Sequence, residues 1–67
     1  MKPHEERVIA EKAELEAKIA RLSTFIRSPA YRELPIEEKQ LLLRQEVLMC
    51  ELVQCLVERI ALFKAVA

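Results

Sequence analysis

Apolar side chains recur in the first third of the chain at Val8, Leu15, Ile19, Leu22 and Ile26, in steps of seven, four, three and four residues. Residues three and four apart share one side of an α-helix, so these steps draw a single apolar stripe along one face. Lys12 holds the stripe position between Val8 and Leu15. The seam is therefore clean in the second half of the helix and interrupted in the first. Ala10, Ala13, Ala17 and Ala20 raise helix propensity and let a neighbour approach closely, and Phe25 widens the apolar face near the end. Pro3 suits the first turn, where its missing N–H is not needed, and Glu5 and Glu6 fall at the positive end of the helix dipole. Glu14 and Lys18 stand four apart in the favourable order. The pattern predicts a helix over about 3–27.

Ser28-Pro29 ends it, because the residue before a proline is pushed out of the helical region. Ser28 is expected to cap a short helical turn that starts at Pro29 and carries Tyr31 and Leu34. Pro35 then opens a second long helix with Glu37 and Glu38 in its first turn, predicted over about 36–65. A connection of roughly residues 28–34 is short enough to make the two helices antiparallel neighbours. The fold class is all-α: one helical-hairpin domain spanning 1–67. The absence of glycine and asparagine agrees, since tight turns between strands generally call on Gly or Asn-Gly.

The second helix is patterned differently. One seam runs Leu42, Met49, Val53, Leu56, Ile60, Phe63, with Glu46 as its polar break, and another runs Leu41, Leu48, Leu52, Cys55, Leu62 on an adjacent face. Between Val47 and Val57 only Glu51 and Gln54 are polar. A lone hairpin buries one side of each helix, and so broad an apolar surface calls for a further cover. Burying one Leu or Val is worth about 1.5–3 kcal/mol, and a whole domain is stable by only roughly 5–15 kcal/mol. Several exposed leucines would forfeit an amount of that order. The expectation is a homodimer or higher oligomer, a helical bundle with the second helices central. Leu41, Leu48, Met49, Leu52, Val53, Cys55 and Leu56 form the expected interface; a hetero-partner on the same face is the alternative.

Sixty-seven residues leave little interior, which strengthens the case for a partner subunit. Disulfides and metals do not supply the difference. Cys50 and Cys55 are five apart, which turns them away from each other on a helix, and they read as free, buried thiols suited to a reducing cytosol. His4 is the only histidine and no zinc-ligand spacing is present, so no metal site is expected. Eleven basic residues balance eleven acidic ones, which gives no electrostatic reason to expect nucleic-acid binding. Val47 to Val57 is too short to span a bilayer, and the N-terminal residues lack the apolar run of a signal peptide. A soluble, cytoplasmic protein is expected.

Candidate chemistry is sparse. His4 has no nucleophile at a suitable spacing and no aspartate to orient it, so it reads as a solvated terminal histidine. Glu46 and Glu51 interrupt an apolar helix without the Glu-x-x-His pairs of a di-iron bundle, and read as residues that select register or partner. With no nucleophile–base arrangement, no enzyme activity and no cofactor are expected. One constellation remains. In an antiparallel hairpin Arg27, Tyr31 and Arg32 gather at the turn, with Lys39 one turn into the second helix. Arginine beside an aromatic ring can hold a phosphate and stack a base, so these four residues are the candidate anion site. The competing reading is an ordinary solvated turn with Tyr31 laid over the helix ends.

The segments EKAELEAKIARLSTFI (11–26), LPIEEKQLLLRQ (34–45) and LVERIALF (56–63) carry a further signal. An E-K-x-E-L…L-x-x-F-I opening, a proline-flanked turn and an R-I-x-x-F close resemble small proteins encoded by bacteriophages and prophages. The likeness runs from Arg7 to Phe63. Members often place a polar or aromatic run after the methionine where this chain has Met49-Cys50-Glu51-Leu52-Val53, which makes its second helix the more apolar. The resemblance implies a phage-type accessory protein that acts by binding in the host cytoplasm. The leading expectation is an oligomer that occludes a host defence protein. The alternatives are an oligomeric sponge for a nucleotide signal and a structural assembly element.

Overall fold

The computed structural model describes residues 2–65. Three helices follow in order: α1 (Pro3–Ile26), α2 (Pro29–Arg32) and α3 (Ile36–Ala65). The two long helices lie antiparallel: Ile9 shares a groove with Val57 and Ile60, while Ile19 shares one with Cys50 and Val53. The hairpin and its short intervening helix are those the spacing predicts.

Local chemistry accounts for each boundary. Lys2 N–H donates to Glu5 Oε1 at 3.1 Å, while the Glu5 and Glu6 N–H groups donate to Lys2 O at 3.0 and 3.1 Å. The orphan donors of the first turn thus find acceptors, and the carboxylate sits at the positive end of the dipole. At the far end Ser28 does not cap α2 as expected. Its hydroxyl turns back and donates to Phe25 O at 2.6 Å, so it terminates α1 instead. The reason is that α1 leaves carbonyls unpaired at its C-terminus, and Ser28 lies within reach of one. Pro35 O accepts from Lys39 N–H at 3.1 Å and starts α3.

Alternation of three- and four-residue steps decides what faces inward. On α3 the side chains turned to α1 are Leu42, Glu46, Met49, Val53, Leu56, Ile60 and Phe63, and each is half-buried or buried. On α1 they are Glu5, Val8, Lys12, Leu15, Ile19, Leu22 and Ile26. This alternation of three- and four-residue steps forms the seam along which the two long helices of the hairpin meet. Lys12 stays on the seam's edge, its Nζ 3.1 Å from Glu16 Oε1 one turn on. The side chain is half-buried, as a lysine can be when its ammonium reaches a carboxylate.

Two helices make a thin molecule. Only Val8 (6 % exposed) and Leu56 (2 %) are buried among the described residues. The chain measures 50 × 15 × 14 Å with a radius of gyration of 15.3 Å. A compact chain of this length would have a radius of gyration of about 11 Å. Both thiols correct the expectation drawn from the sequence: Cys50 and Cys55 are free, but exposed rather than buried in the single hairpin. They flank the seam on its two sides, Cys50 at the edge of a groove shared with Ile19 and Ala20. No helix among the described residues is long and apolar enough to cross a membrane.

Candidate functional site

Three surfaces stand out once the hairpin is built. The first is the turn end. Tyr31 sits at its centre, half-buried, with its ring edge-on to Phe25 at 6.5 Å between centroids. Its hydroxyl donates to Lys39 O at 3.4 Å, a long bond. Lys39 Nζ lies 5.7 Å from the ring centroid, a cation–π arrangement. Arg27 Nη2 donates to Ser23 Oγ at 2.6 Å. Arg32 is exposed at the end of α2. Tyr31 and Lys39 are therefore in direct contact, while Arg27 is held along α1.

These contacts give the turn a structural role and leave charge to spare. None of Arg27, Arg32 or Lys39 forms an ion pair with a carboxylate among the described residues, where the ion pair found is Lys12–Glu16. Charged N–H donors of this kind can donate to a phosphate oxygen, and Lys39 is the one set against the Tyr31 ring.

The second surface is an open groove along one side of the hairpin, where Ile9, Ala13 and Ala20 of α1 face Cys50, Val57 and Ala61 of α3. Small side chains on α1 leave the depression, which Lys12, Glu16 and Lys64 border. The third surface is the opposite flank of α3. There Leu41 and Leu48 stand 63 % and 52 % exposed and, with Leu52, Gln45 and Arg44, line a shallow depression. The expected interface residues are thus divided. Met49, Val53 and Leu56 are turned to α1, whereas Leu41, Leu48, Leu52 and Cys55 remain open to solvent. Between Val47 and Val57 the sequence is apolar nearly all round; the hairpin separates an inner seam from two outer flanks of α3, with Glu37, Arg44, Glu51 and Glu58 on the far side.

His4, read as a solvated histidine, is exposed yet lies edge-on to Phe63 with 5.9 Å between ring centroids. It closes the open end of the hairpin. That contact needs the C-terminal end of α3 beside the start of α1, which no local pattern around His4 announces.

The Sequestin family model matches residues 2–62, nearly the whole chain. The protein belongs to the Sequestin family. No curated protein and no solved structure matches it. The match covers both long helices and the turn between them, so the turn-end cluster and the outer flank of α3 both lie within the family region.

Proposed function

We propose that this Sequestin-family protein is a non-catalytic sequestering protein: a homo-oligomer that binds a nucleotide-type signal and holds it without converting it. The family match over residues 2–62 carries the reading, because the family's name describes retention rather than turnover. The turn-end cluster supports the choice of ligand, offering Arg27, Arg32 and Lys39 to phosphate oxygens and Tyr31 to a base. Self-association is part of the proposal. The grooves described above are open, and a ligand held tightly is mostly enclosed. The likeness to phage and prophage proteins supports a role in a host cytoplasm, where removing a signal would blunt a defence response.

Native mass spectrometry of protein purified from cells tests this first, since it reads subunit number and retained ligand together. An assembly with added mass matching a nucleotide, lost on Arg32→Ala while the subunit number stays, is the expected result. An assembly that retains nothing and binds none of a panel of cyclic and linear nucleotides by calorimetry would overturn the ligand class. A second reading, occlusion of a host protein, is favoured by the exposed leucines of α3. It predicts a stoichiometric host protein in place of the added small mass.

A further inference from the structure

The outer flank of α3 repeats the geometry of its inner seam. Leu41, Leu48, Cys55 and Leu62 recur every seven residues, with Gln45, Leu52 and Arg59 between them, so steps of four and three alternate. That spacing makes a second coiled-coil face on one helix. Its four leucines are 44–63 % exposed in the lone hairpin. The surplus surface of the hairpin as a whole is of the size that one partner covers. The chain exposes 5242 Å², about 900 Å² more than a compact protein of its mass, and a standard interface buries roughly 800 Å² per partner.

We propose that a second copy of this chain covers this flank, with α3 packed antiparallel on its own symmetry mate and the two-fold axis passing between Leu48 and Leu52. The proposal rests on the self-association in the proposed function and specifies its face, direction and register. In this register Leu48 meets Leu52 of the second copy, and Gln45 meets Cys55.

Charge selects the direction. Glu38 extends the same face at its start, and Arg59 lies within it near its end. A parallel, in-register pair would set Glu38 against Glu38 and Arg59 against Arg59, like charges in the contact layers. The antiparallel pair sets Arg59 beside Leu41 of the second copy, one turn from its Glu38. On the rim, Arg44 then comes near Glu58 of the other copy. Glu51 meets its own counterpart near the axis, the one repulsive pair in the register, on a solvated edge where salt screens it.

Cysteine cross-linking tests the register directly. In a Gln45→Cys, Cys50→Ser chain, positions 45 and 55 of one helix are about 15 Å apart along the axis, too far for an internal disulfide. The antiparallel register brings Cys55 of one copy against the new thiol of the other. Mild copper–phenanthroline oxidation should give a covalent dimer whose bridges, mapped by peptide mass spectrometry, join 45 to 55. Wild-type protein run in parallel by light scattering guards against a folding defect in the variant. A dominant 55-to-55 bridge, or a dimer with no bridge at all, would overturn this face and register while self-association stands. A wild-type monomer across a hundredfold concentration range would overturn both.

Discussion

Helix α1 and helix α3 meet along one heptad seam, yet that contact completes only α1. Outside its seam, α1 presents chiefly alanines and charged residues, with Ile9 and Phe25 just above one-third exposed. Outside its seam, α3 presents Leu41, Leu43, Val47, Leu48, Leu52, Val57 and Leu62. The two helices thus share a fold and differ in what they leave unfinished. A helix with one stripe reports its neighbour in the hairpin; a helix with a stripe and two apolar flanks reports neighbours outside it. The molecule's thinness has the same origin, since two helices cannot enclose the side chains of a helix that is apolar on three sides.

The contrast can be broken most sharply by Leu52→Glu. If the outer flank is covered in the assembly, the change places an unpaired charge in each copy's interface, at about 3–5 kcal/mol per buried charge. Light scattering should show the assembly lost, and far-UV circular dichroism should show helix lost with it. A fully helical monomer would mean that the hairpin stands alone and the flank needs no cover. Leu56→Ala strikes the other side of the same helix. Leu56 is buried against α1 in the single chain, so the variant should lose about 2–5 kcal/mol whatever the oligomeric state. Chemical denaturation at two protein concentrations separates the two effects: the loss at Leu56 persists on dilution, the loss at Leu52 does not.

Smaller changes sharpen the comparison at its edges. Arg32→Ala removes an exposed cation that packs on neither seam, so melting should move by less than about 0.5 kcal/mol. Affinity for a nucleotide should still fall tenfold or more, since a hydrogen bond to a charged group is worth about 1.5–3 kcal/mol. Equal loss of stability and binding would assign Arg32 to the fold instead. Glu51→Gln should have the smallest effect and the opposite sign. Relieving one repulsive pair at the two-fold axis should tighten self-association by a few tenths of a kcal/mol at low salt and by less at high salt. Sedimentation equilibrium at two ionic strengths reads the difference.

Much of this architecture follows from spacing along the chain. Val8 to Ile26 and Leu42 to Phe63 mark the two faces that meet, because a helix of 3.6 residues per turn carries every third or fourth side chain to one side. Pro3, Pro29 and Pro35 place the helix starts, since a proline tolerates the first turn and little else of a helix. The turn-end residues come together for the same reason: once the helices are antiparallel, everything between Arg27 and Lys39 lies at one end. What periodicity does not separate is the inner from the outer side of α3, where Met49 and Leu48 are equally apolar and adjacent in sequence. Only the placement of α1 assigns Met49, Val53 and Leu56 to the hairpin and leaves Leu48, Leu52 and Cys55 open. Ser28 and His4 belong to this second class as well. A hydroxyl that turns back to Phe25 O, and an imidazole set against Phe63, answer to groups that become neighbours only when backbone ends and distant helices are in position. Local spacing dictates which face of a helix is apolar; burial depends on what a different part of the chain brings to that face.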